Sequence, residues 1–168
     1  LSLFGLPWVP AEPARADAVR EAGDVLQIVL PALALGMTAA AEDLEGTGQF
    51  LKSGAFTASC TFGLKYAIDS ERPGGGGHSF PSGHTAAAFA GASFIARRYG
   101  WRFGLPAYGA ASFVAFSRVD SDQHHVEDVV AAAAIAIVST HLFTRPLADG
   151  VRFLPVVGRD SYGLVVQT

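Results

Sequence analysis

Five apolar stretches of helix length, rich in alanine and glycine and each closed by glycine, proline or a group of charges, set the terms on which this chain folds. In the clearest of them, Val126–Phe143, the run from Val129 to Val138 holds no polar residue, and Pro146 follows shortly after. Val25–Ala41 has only Gln27 and Thr38 as clearly polar members and stops at Glu42 and Asp43. A proline inside a helix removes one backbone bond, so a kink is expected at Pro31. Further helices are predicted over about Phe50–Ile68, from just after Pro81-Ser82-Gly83 through Ala86–Arg98, and over about Leu105–Ser117. The pattern predicts an all-α bundle of five to six helices.

The 168 residues suit a single domain. Residues 1–23 read as an extended arm through Pro13 followed by a short helix over Ala14–Gly23, residues 24–145 as the helical core, and residues 146–168 as a tail. In the tail, Val151–Val157 and Tyr162–Val166 are rich in β-formers around Gly158-Arg159-Asp160-Ser161, which predicts a short hairpin. The single cysteine, Cys60, excludes an intramolecular disulfide and reads as a small buried hydrophobe. A net charge of −3 without any Lys/Arg run argues against a nucleic-acid partner. Half the residues are hydrophobic, which excludes disorder. The chain begins at Leu1, as a processed or trimmed chain would.

The apolar cores are roughly 13–18 residues long against the ~20 of a bilayer span, so length alone leaves both a membrane bundle and a soluble periplasmic one open. If the helices span, antiparallel packing gathers Lys65, His84, Ser117 and Asp128 at one end and Arg97, Arg98, Arg102 and Arg145 at the other. The excess of arginine then marks the cytoplasmic side, with the first group outside it. Trp8 and Trp101 suit interface anchors.

That first end collects most of the unusual polar residues in three clusters. They are Lys65 followed after six residues by Arg72-Pro73; Pro81-Ser82-Gly83-His84; and Ser117-Arg118 followed after five residues by His124 and after three more by Asp128. Phosphoryl transfer spreads charge over several oxygens, so a site for it needs fixed cations and N–H donors around one point. Lys65, Arg72 and Arg118 supply the charge, while Ser82 and the Gly83 amide add donors at a helix start. This is a phosphate cradle that needs no metal. His124 and Asp128, four apart, share a helical face, so the carboxylate would orient one ring nitrogen and leave the other as a nucleophile. His84, on a different helix, is placed to protonate a leaving oxygen and then to activate water.

Lys-x6-Arg-Pro, Pro-Ser-Gly-His and Ser-Arg-x5-His-x3-Asp, complete and in this order from Lys65 to Asp128, resemble the signature of the type 2 phosphatidic acid phosphatase (PAP2) superfamily, which also includes vanadium haloperoxidases. The resemblance implies a helical core and metal-independent hydrolysis of phosphomonoesters or pyrophosphates through a phosphohistidine, with no cofactor. By position it assigns phosphate binding to Lys65, Arg72, Ser82, Gly83 and Arg118. His124 becomes the nucleophile, Asp128 its orienting partner and His84 the general acid and base. Lipid or polyprenyl phosphates are the expected substrates and membrane association is expected, with the site facing the periplasm or exterior. The chain departs from the family in having only Gly74–Phe80 between Arg72-Pro73 and Pro81, which removes most of a lid and bears on selectivity rather than chemistry.

Three rival readings remain at this level: an acid phosphatase of soluble phosphomonoesters, a vanadate-dependent haloperoxidase, and a bundle that binds phospholipid headgroups without turnover. The complete nucleophile, orienter and acid set speaks against the last. His78, His125 and Glu127 read as solvent-facing or structural neighbours. Asp120 and Asp122, together with the histidines, suggest a metal, but the cations beside them oppose one electrostatically.

Overall fold

The computed structural model describes residues 13–147, 152–157 and 162–167. The expected arm with Trp8, and the turn expected at 158–161, lie outside the described residues. Five helices form the body: α1 (Pro13–Ala40), α2 (Leu44–Ala67), α3 (Gly83–Tyr99), α4 (Trp101–Asp120) and α5 (Val126–Phe143). Beyond them β1 (Arg152–Val157) pairs antiparallel with β2 (Tyr162–Gln167), Leu154 opposite Val165.

Three helix starts differ from the sequence expectation, each for a local reason. The short helix expected over Ala14–Gly23 and the long one after it are a single 28-residue helix that runs through both Gly23 and Pro31. Gly23 is no breaker here; a Cβ at this position would lie 2.1 Å from Ser117 Oγ, so the missing side chain is what lets α1 close on α4. α2 begins at Leu44 because Asp43 caps it, accepting the Gly46 N–H at 2.8 Å. α4 begins at Trp101 because Gly100, at φ 93°, ends α3 and turns the chain within one residue.

α3 lies at the centre, packed on the other four helices. Its buried face includes Ala88, Ala92, Phe94 and Ile95, and small residues let its neighbours come close. A Cβ on Gly91 would lie 2.6 Å from the Leu30 carbonyl carbon, and one on Gly104 would lie 2.4 Å from the Ala96 Cβ. Phe50 meets Phe94 edge-on at 4.9 Å between ring centroids. The most apolar helix in the sequence, α5, is not the most buried: Val126, Val130, Val138 and Leu142 are exposed, as are Val25, Ile28 and Leu33 on α1. Water would oppose such a surface; hydrocarbon would not.

At the end of the bundle away from Lys65 and His84, Arg98 is paired with Asp43 in a buried, two-pronged contact. Nε and Nη2 donate to the carboxylate at 2.8 and 2.6 Å, and Nη1 donates to the Arg145 carbonyl at 3.0 Å. Of the four arginines expected to mark that end, Arg98 is therefore internally neutralised by Asp43.

Candidate active site

The ends of three helices, the connection over 68–82 and the connection leading into α5 meet around a cavity of about 120 Å³. Lys65, Arg72, Gly83, His84, Arg118, Gln123 and His124 line it. Lys65, in the last turn of α2, is steered by carbonyls: its Nζ donates to His78 O at 2.7 Å and to Ser79 O at 3.4 Å. Burial and the neighbouring Arg72 lower its pKa. Arg72 sits in a tight turn whose N–H bonds the Gly76 carbonyl at 2.8 Å, with Gly75 and Gly76 at φ 93° and 95°. Those glycines, together with the Gly74 N–H donating to Asp122 O at 2.9 Å, fold the short connection back on the end of α4. Arg72 Nη1 then reaches Gln123 Oε1 at 3.5 Å.

His124 and Asp128 come together, but not by sharing a helical face. His124 precedes the N-cap residue His125, and Asp128 is in the first turn of α5. The carboxylate turns back over the helix start, where Oδ2 accepts from His125 N at 2.9 Å and lies 3.3 Å from His124 Nδ1. The Ser79 hydroxyl donates to the same oxygen in a short hydrogen bond. With Nδ1 held by Asp128, His124 Nε2 has no hydrogen-bond partner among the described residues. Burial drives the His124 pKa down to about 4, the Asp128 contact opposing and Arg72 reinforcing the shift, so the ring is neutral at ordinary pH.

His84 enters on the first turn of α3, and Arg118 on the last turn of α4. A carboxylate from α1 joins them: Asp24 Oδ1 is 3.1 Å from His84 Nε2 and accepts from Arg118 Nη1 at 2.7 Å. Arg118 is 3% exposed, and it also donates from Nη2 to Arg20 O at 2.7 Å and from Nε to Ser117 Oγ at 3.2 Å. Burial lowers the His84 pKa, helped by Arg118 and resisted by Asp24.

Lys65, Arg72, Gly83, His84, Arg118 and His124 thus face one cavity, with Asp128 directly behind His124. Ser82 is placed differently: it is fully buried as the N-cap of α3, its hydroxyl accepting from Thr85 N at 3.4 Å, and it does not line the cavity. Sequence reasoning missed Ser79, Gln123 and Asp24. Ser79 stands two residues before the Pro81 cluster, and Gln123 beside His124, so adjacency was the available signal. Asp24 is far from every cluster in sequence, and only the packing of α1 brings it in. His78 is half-exposed, its ring bonded to Lys65 O at 3.1 Å and not facing the cavity.

Residues 49–149 match the model of the PAP2 superfamily. This chain belongs to that superfamily. A PAP2 relative, the lipid A 4'-phosphatase of Helicobacter pylori strain J99, is 32% identical over 161 residues that cover 86% of this chain and 81% of that protein. The lipid A 1-phosphatase of Porphyromonas gingivalis is 36% identical over 99 residues, which cover 54% of this chain and 22% of that longer protein. The crystal structure of LpxE from Aquifex aeolicus superposes with a TM-score of 0.68 at 19% identity, covering 79% of this chain and 86% of that one. A transmembrane PAP2 type phosphatidylglycerolphosphate phosphatase from Bacillus subtilis gives a TM-score of 0.63 at 20% identity, covering 79% and 76%. At those identities the two structures speak for the all-helical PAP2 fold.

Proposed function

We propose that this PAP2 chain is a membrane-associated phosphatase that removes a phosphate group from a lipid, without a metal, through a phosphohistidine on His124. The observation that carries the reading is the placement of His124: its Nδ1 is held by Asp128, and its other nitrogen has no hydrogen-bond partner among the described residues, beside three cations. Nε2 attacks phosphorus as the phosphorus–oxygen bond to the lipid breaks. Lys65, Arg72 and Arg118 carry the charge that develops on the oxygens, together with the Gly83 amide. His84 gives its proton to the leaving oxygen, then takes one from the water that attacks phosphorus and frees inorganic phosphate.

The lipid substrate is supported by the two lipid A phosphatase relatives and by the surface around the site. An apolar groove of about 340 Å³ runs between α1, α2 and α3 past Pro31, Phe50, Phe62 and Ala86, and it shares Gly83 with the phosphate cavity. A chain lying there would keep its phosphorylated end at His84. α1 and α5 are long and apolar enough to cross a membrane, and both expose apolar side chains along their length. Arg97, Arg102 and Arg145 favour the cytoplasm for the far end, which puts the cavity on the outer face.

Phosphate release from lipid A-type, glycerophospholipid, polyprenyl and soluble phosphates, measured in EDTA for the wild type and His124→Ala, tests the reading. Release from lipids that survives EDTA and is abolished by the substitution is expected. A variant that retains turnover removes His124 as nucleophile, and preference for soluble esters removes the lipid assignment.

A further inference from the structure

The signature residues leave one charged group at the site unexplained. Asp24 comes from α1, outside all three sequence clusters, yet a single oxygen of its carboxylate contacts both His84 Nε2 and Arg118 Nη1, at 3.1 and 2.7 Å. Its position is built rather than incidental. A Cβ on Gly23 would lie 2.8 Å from Arg118 Nη2 and closer still to Ser117 Oγ, so the Gly23-Asp24 pair couples a close helix approach to a carboxylate at the point of contact. The Arg20 carbonyl, one turn earlier, takes Nη2 of the same guanidinium. Three of the five N–H groups of Arg118 are thus fixed by its own helix and α1, leaving two for a ligand.

We propose that Asp24 is a positioning residue for phosphoryl transfer: it joins the acid–base histidine to the phosphate-binding arginine, offsets the cations that surround the His84 ring, and holds Arg118 in place before phosphate arrives. The inference rests on the phosphatase reading above. The groups facing His84 are Asp24 from α1, Arg118 from α4 and Arg72 from the 68–82 connection, with Lys65 and His124 on the same cavity. The cations among them destabilise a protonated ring, and Asp24 opposes that effect. The carboxylate also offsets the positive charge of Arg118 that phosphate meets, which weakens the hold on inorganic phosphate after hydrolysis.

The test compares wild type, Asp24→Asn and Asp24→Glu by histidine NMR titration of the His84 ring, by inorganic phosphate binding, and by kcat and KM against pH. In Asp24→Asn the His84 midpoint is expected to fall by about one pH unit. The alkaline limb of kcat moves with it, and phosphate binds roughly fivefold tighter. Asp24→Glu retains the charge and is expected to keep the wild-type limb with a reduced kcat. A His84 titration and a pH profile superimposable on wild type in Asp24→Asn would overturn the proposal and leave Asp24 as a helix strut. Should the wild type hydrolyse nothing while Asp24→Asn still shifts His84 and tightens phosphate, the coupling of Asp24 to the anion site stands and the hydrolase reading fails.

Discussion

Asp43→Asn separates the stability of the bundle from its chemistry. Asp43 accepts four hydrogen bonds: from Arg98 Nε at 2.8 Å and Nη2 at 2.6 Å, from Tyr99 Oη at 3.1 Å and from Gly46 N at 2.8 Å. Asparagine preserves the size of the side chain and an acceptor for the helix cap, but it removes the charge facing a guanidinium that is 3% exposed. Removing one partner of a buried pair costs about 3–5 kcal/mol, since the other charge is left uncompensated. Arg98 keeps its bond to the Arg145 carbonyl and a 3.7 Å approach to exposed Glu45, so the lower end, about 3 kcal/mol, is expected. For a chain of this size each kcal/mol moves the melting temperature by about 2–4 °C, giving a fall of roughly 6–12 °C. Burial alone would raise the Asp43 pKa, but the Arg98 and Gly46 hydrogen bonds outweigh it and hold the group below the ordinary carboxylate value. With the folded pKa depressed, the contribution is complete at neutral pH and is lost only as pH falls through that lower value. The assay is a thermal melt by circular dichroism in one detergent at fixed scan rate and pH 7, with kcat measured well below the transition. Adding Arg98→Met should recover at least half of the loss, because the orphaned charge is then gone. A melt within about 2 °C of wild type, or a changed kcat, would refute the claim that this pair is a buried staple remote from the site.

Two further predictions concern the nucleophile. Ser79→Ala removes one of three donors from the Asp128 oxygen that orients His124, and a hydrogen bond to a charged group contributes about 1.5–3 kcal/mol, so kcat should fall about tenfold with KM little changed; an unchanged kcat would show that Ser79 orients nothing. The His124 ring, followed by NMR, should titrate near pH 4, since burial outweighs the Asp128 contact, and a midpoint near 6.5 would mean that water reaches the ring freely.

The cradle was legible in the sequence because its chemistry sits in three short, fixed spacings, and those spacings survive whatever the helices do in detail. Lys65, Arg72, Gly83, His84, Arg118 and His124 are read from the chain and are found on one cavity. Helix boundaries were less legible. Gly23 looks like a breaker in sequence and is a contact in the fold, because its meaning depends on Ser117, nearly a hundred residues away. α5 carries the most apolar run in the sequence, yet α3 holds the centre, since close packing favours small side chains over large apolar ones when the outer surface is itself apolar. Asp24 was beyond reach for the same reason as Gly23. An acidic residue one turn after Glu21 carries no spacing to any motif, and only the approach of α1 to α3 and α4 brings it to His84 and Arg118.

The arrangement also accounts for how three cations coexist in so small a cavity before any substrate arrives. Each is fixed by a different neighbour: Lys65 by the carbonyls of His78 and Ser79, Arg72 by Gln123, and Arg118 by Asp24 and Arg20. None depends on the ligand for its position, so charge developing on phosphate oxygens meets dipoles and cations already oriented, and little reorganisation is needed at the moment of reaction. The counterweights are graded. Asp128 sits behind His124, the proposed nucleophile, buried and bonded to three donors and away from the cavity lining. Asp24 is partly exposed, and its carboxylate offsets the charge of Arg118 beside His84. On the proposed mechanism, exchanging these two placements would set a negative charge against the phosphate ester and leave His124 unoriented, so the depth of each carboxylate matters as much as its presence.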